Sequence, residues 1–128
     1  MGLTRIAVTV RKLTSEQEGS YTATFLVDTG SIDSLVPASE LEKLGIKPTH
    51  AELYEMASGK LERFEVGYAW FGFLGKELPV QIMFGADDAE PILGVLALEA
   101  AGFVVDPVAE RLKKLPARSL KAALKSVA

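Results

Sequence analysis

The stretch FLVDTGSIDSLVP, Phe25 to Pro37, runs three apolar residues straight into the acid Asp28 and then into Thr29, Gly30 and Ser31. An apolar, β-type run that ends on an acid sets that acid at the rim of a core, where a rigid strand holds it. Gly30 lets backbone come close because it carries no Cβ. The hydroxyls of Thr29 and Ser31 are suited to donate hydrogen bonds that orient a carboxylate and favour its charged form. Asp-Thr-Gly alone also describes a plain turn, since Asp and Gly are turn residues. The surrounding chain therefore has to decide.

Upstream, RIAVTVR alternates Ile6, Val8 and Val10 with Arg5, Ala7 and Thr9, the period of a half-buried strand. The polar TSEQEGS loop then leads into YTATFLVD, so the two runs predict a hairpin ending at Asp28. Downstream, ASELEKLG predicts a short helix with Ser39 or an earlier residue as its cap and Gly45 past its end. AELYEM and LERFEVGYAWFGF predict a long hairpin tipped by Gly59, with Phe64, Val66, Tyr68 and Trp70 on one face. LPVQIMF continues the β pattern with Leu78, Val80, Ile82 and Phe84 on one face. GADDAEP, with Asp87 and Asp88, reads as a solvated loop, and LGVLALEAAG as a short helix closed by Gly102. FVVDP is a further strand with Asp106 as a turn acid, and VAERLKKLP holds another. The last stretch, ARSLKAALKSVA, spaces Leu120, Leu124 and Val127 as a basic amphipathic helix. The count is about seven strands, two short helices and a tail helix, a mainly β chain.

With 128 residues, 48% of them hydrophobic, the chain suits one domain with a real core. The net charge of −3 hides an asymmetry: residues 1–110 hold 8 Lys+Arg against 17 Asp+Glu, whereas residues 111–128 hold 6 basic residues and no acidic one. The expected division is a domain over 1–110 and a basic extension over 111–128. No aromatic interleaves the basic residues of that extension, which argues for a solvated or self-docking tail over a nucleic-acid site. The absence of cysteine removes disulfides and thiol nucleophiles, and a reducing cytoplasm is the expected compartment. The opening MGLTRIAVTVRK does not read as a signal peptide, and the most apolar segment carries Glu99 and is too short to span a bilayer, so a soluble protein is expected.

The apolar strand before Asp28, the DTGS that follows and the later Ile92-Leu93-Gly94 together resemble the retropepsin-like aspartic proteases, single-lobed relatives of pepsin. The resemblance spans roughly residues 5 to 107, and ILGVLALEAAGF followed by Val104 to Pro107 looks like the soluble bacterial and archaeal members. It implies a single-lobe, closed-barrel-like acid protease fold with Asp28 as the catalytic acid. It also implies that Thr29 bonds across a two-fold axis, that Gly30 meets substrate backbone and that Ser31 supports the carboxylate. Ala57, Ser58 and Gly59 would form the tip of a flap, Asp33 would contact substrate, and Ile92, Leu93 and Gly94 would pack beneath the catalytic loop. The chain departs from the retroviral pattern at Ile32, where those enzymes usually carry an acidic or polar residue paired with a basic one in the terminal helix.

The mechanism implied needs two carboxyls sharing one proton, and the chain has one DTG, so the resemblance requires a homodimer with polypeptide as substrate. Two such groups in contact cannot both ionise, which favours the acid side of neutrality. Competing chemistries are weak. There is no Gly-x-Ser-x-Gly for a serine triad, no clustered metal ligands, and His50 follows a KPT loop as a surface residue, so no metal and no cofactor is expected. Trp70, Phe71 and Phe73 read as core or dimer interface more than pocket. Two other functions stay open at this point: a dimeric module that holds an extended peptide without cutting it, and an interaction protein whose basic tail recruits nucleic acid or an acidic partner.

Overall fold

The computed structural model describes residues 4–14, 19–106, 108, 109 and 111–116. β1 (Arg5–Arg11) and β2 (Tyr21–Asp28) form the expected antiparallel hairpin, with Ile6 opposite Phe25 and Val10 opposite Tyr21. The alternation works as read: Val8, Val10, Phe25 and Val27 are buried, while Thr9 and Thr22 face outward and join through their hydroxyls at 2.9 Å.

Two strands too short to show a period follow from tertiary pairing. β3 (Ser34–Pro37) lies parallel to β6 (Lys76–Gly85), and β7 (Ile92–Gly94) slots between β2 and β3, parallel to β2. β5 (Leu61–Phe73) pairs with β6 over its second half and returns to β1 through Thr9–Arg11. The order β1-β2-β7-β3-β6-β5 thus closes on itself as a six-stranded barrel. Closure leaves no open edge in the ring. β4 (His50–Glu55) lies outside it and pairs with the first half of β5 to make a projecting arm.

Phe71 and Phe73, read from the sequence as core or interface, face the barrel interior with Ala69, whereas Phe64, Val66, Tyr68 and Trp70, which alternate along β5, do not share one environment. Val66 is buried outside that main cluster, Trp70 is half-buried and Tyr68 is exposed. Apolar residues occupy both faces of this strand, so alternation alone does not choose between them; β1 and β6 do, by flanking residues 70–72. Phe25 and Phe71 meet edge to face at 5.7 Å in the centre of the core, with Leu41, Ile82, Leu93 and Leu98 fully buried around them.

α1 (Ala38–Lys43) and α2 (Val95–Ala100) close the barrel and bury Leu41 and Ala97 with Leu98. Ser39 does not cap α1 with its side chain. Its backbone N–H instead donates to Asp87 Oδ1 at 3.1 Å, so an acid read as solvated serves the helix start from across the fold. β8 (Phe103–Asp106) and β9 (Arg111–Lys114) form a separate two-stranded sheet, so nine strands are present among the described residues where about seven were expected. Asp106 takes the N–H groups of Ala109 and Val108, which hold its carboxyl below the usual range and confirm a turn acid. The first residues of the basic extension therefore belong to this hairpin. The helix expected over Leu120, Leu124 and Val127 lies outside the described residues.

Candidate active site

β2 carries Asp28 to the rim of the barrel, and Gly94 of β7 stands in register beside it. The strand end is held from both flanks, as Val27 N–H donates to Thr4 O at 2.8 Å and Leu26 N–H to Pro91 O at 3.0 Å. The Asp28 carboxyl is half-buried. Its Oδ1 accepts the Gly30 N–H at 2.9 Å and its Oδ2 the Ser31 hydroxyl at 3.3 Å. Ser31 thus contributes as expected, whereas the second bond comes from Gly30 backbone and not from the hydroxyl of Thr29. Thr29 and Gly30 are exposed next to the acid.

The loop is clamped from below. The first N–H groups of α2 have no partners within the helix, and they find them in the loop: Val95 donates to Ser31 O at 2.8 Å and Leu96 to Ile32 O at 3.1 Å. Gly94 lies directly against this loop. A Cβ there would stand 2.5 Å from Asp33 O and 2.6 Å from Ile32 O, closer than real contacts allow. Leu93 is fully buried and Ile92, expected as core, is only half-buried.

Ser34 was not singled out from the sequence. It is the one polar residue in the buried core among the described residues, and its Oγ accepts the Gly94 N–H at 2.9 Å. Ser34→Ala leaves that N–H without an acceptor, at an expected cost of about 1–3 kcal/mol. Urea unfolding checks this as a lower midpoint at unchanged slope.

β4 and β5 raise the projecting arm, whose tip turns through Met56–Lys60. Gly59 N–H donates to Met56 O at 2.8 Å and Met56 N–H to Lys60 O at 2.7 Å. Gly59 sits at φ +89°, a left-handed conformation that a Cβ resists. Ala57, Ser58 and Gly59 are all exposed, and the apolar side chains of Met56, Leu53 and Leu61 beside them are exposed too. His50 opens β4 instead of lying in a loop, and its Nε2 pairs with Glu52 at 2.9 Å.

Asp33 is the second acid of the site and it is occupied. Its Oδ2 accepts the Tyr54 hydroxyl at 2.6 Å and the Gln81 amide at 3.1 Å, and Tyr68 donates to Gln81 Oε1 at 2.8 Å. Burial first, then the bond to Asp33 and its charge, push the Tyr54 phenol well above its usual range, so it remains a proton donor. A mostly apolar cavity of about 260 Å³ opens behind Asp33, lined by Ile32, Val80, Leu96 and Ala100 among others. Tyr54, Gln81 and Tyr68 also escaped sequence reading; the available signal was Gln81, a polar residue inside the apolar run PVQIM. Among the described residues no group of three or more acids or histidines is placed to hold a metal, and no helix is long and apolar enough to cross a membrane.

No family model and no curated protein matches the sequence. Among solved structures, the chain is similar to the protease of simian foamy virus, determined in solution. The two superpose with a TM-score of 0.54 over 77% of this chain and 94% of the viral one, at 16% sequence identity. The chain has the single-lobed retropepsin fold. At that identity the likeness is one of architecture. In this fold β2 pairs with β7, which sets Gly94 in register beside Asp28 and leaves room for the loop.

Proposed function

We propose that the chain is a homodimeric aspartic endopeptidase that cleaves polypeptides with water as nucleophile, its site formed by Asp28 from each of two copies. The observation that carries this reading is the presentation of Asp28: a half-buried acid at a strand end, oriented by Gly30 and Ser31, on a barrel of the retropepsin fold. One carboxylate takes a proton from water as its oxygen attacks the amide carbon, while the protonated carboxyl of the other copy gives its proton to the carbonyl oxygen. In the tetrahedral adduct the first carboxyl passes the proton it took from water to the amide nitrogen, the C–N bond breaks, and a hydroxyl of the adduct returns its proton to the second carboxylate, which restores the shared proton. The exposed flap tip would fold over an extended peptide, and the cavity behind Asp33 suits an apolar side chain.

The proposed protease domain is residues 1–110, with 111–128 as an extension that begins with β9. Assignment to the soluble prokaryotic branch rests on the ILG and VVDP pattern, and assignment to the cytoplasm on the lack of cysteine. The test incubates the protein with an unfolded substrate over roughly pH 4 to 7, the range a shared-proton pair favours. Specific activity should rise on concentrating the protein, as a dimer requires, and a statine-type mimic of the adduct should block it. Binding of the mimic or of peptide without any cutting would support the peptide-holding module instead.

A further inference from the structure

Asp33 belongs to the loop after Asp28, and Tyr54 belongs to the flap arm, so the 2.6 Å bond between them joins two parts of the site that the chain separates by 21 residues. Among the described residues β4 pairs with β5 alone, which leaves the arm room to swing about its base. Tyr54 is further steadied on the arm by Phe64, edge to face at 5.7 Å. On the body side, Gln81 of β6 donates to the same Asp33 oxygen, and Tyr68 of β5 holds the Gln81 amide in that orientation.

Resting on the protease reading, we propose that Asp33, Tyr54 and Gln81 form a latch that ties the flap arm to the catalytic loop, with Asp33 a positioning residue and not a ligand of the peptide. Both bonds converge on Oδ2. That makes a specific substitution informative, because an Asn at 33 can present its single amide oxygen at the Oδ2 position and still accept from Tyr54 and Gln81. A residue that instead recognised a basic side chain of substrate would need the charge, which Asn lacks.

The experiment uses Tyr54→Phe, Asp33→Ala and Asp33→Asn, with folding checked by thermal melts. Two readouts are taken: steady-state cleavage of a peptide, and backbone ¹⁵N relaxation dispersion of flap residues 50–61 in the free protein. Loss of the Tyr54 hydrogen bond should lower kcat/KM by roughly tenfold, mainly through KM, in Tyr54→Phe, and Asp33→Ala, which loses the Gln81 bond as well, should fall at least as far. Their combination should lose no more than Asp33→Ala alone, and Asp33→Asn should recover most of the loss. Tyr54→Phe should also bring microsecond-to-millisecond exchange into the flap. The latch is overturned if Tyr54→Phe leaves flap relaxation unchanged, or if Asp33→Asn is as impaired as Asp33→Ala while Tyr54→Phe is not. The relaxation measurement needs no turnover, so a protein that cut nothing would overturn the protease reading and still test the latch.

Discussion

If the chain is the proposed homodimeric protease, Asp28→Asn should remove peptide cleavage, by about a thousandfold or more, and leave the protein folded and dimeric. In a homodimer the substitution deletes the general acid and the general base together, and each such role typically contributes 10²–10⁴-fold, roughly, to a rate. The structure argues that little else changes. Asn keeps an amide oxygen where Asp28 Oδ1 accepts the Gly30 N–H, and its amide nitrogen can donate to Ser31 Oγ where Oδ2 now accepts. Removing two acids that would face each other at close range also relieves repulsion, so association should be no weaker than in the native protein. Sedimentation at several concentrations and a thermal melt, run beside the cleavage assay, separate loss of chemistry from loss of assembly. Residual cutting by Asp28→Asn at the native rate would show that another group does the work.

Gly94→Ala is expected to cost about 3 kcal/mol or more, and to cripple the site along with the fold. The obstacle is backbone, since the new methyl would meet Asp33 O at 2.5 Å, Asp33 C at 2.6 Å and Ile32 O at 2.6 Å. No rotamer change relieves such a contact. The loop of residues 31–33 must retreat, and it carries the carbonyls that receive the first N–H groups of α2 as well as the acid of the latch. A fall in melting temperature of about 10 °C or more follows for a domain of this size. Gly19→Ala is the control, because no described residue stands within 4 Å of its Cβ position, and it should melt with the native protein. If both variants melted alike, β7 would not press on the loop as described.

How much of this was legible beforehand follows from how local each cause is. In β1, β2 and β6 the core face is written in strict alternation, and neighbours along the strand confirm one another. The position of Asp28 at a strand end was equally readable, because the apolar run stops there. Its support by Ser31, three residues away, needed no tertiary knowledge. Gly59 at the arm's tip follows from turn chemistry between two β runs.

Other features depend on partners far along the chain. SLVP and ILG, at four and three residues, are too short to carry a period and become strands only because β6 and β2 offer parallel edges. β5 has apolar residues on both faces, so its inward side was set by β1 and β6 flanking it. The cap of α1 comes from Asp87, 48 residues beyond Ser39, and the same separation divides Gln81 from Asp33. The sequence by itself determined where strands run and which acid ends one, since alternation and turn propensity act over a few residues. Tertiary structure alone decided which carbonyls, amides and hydroxyls meet around that acid, because hydrogen bonds depend on closeness in space, and folding brings distant parts of the chain together only when the barrel closes.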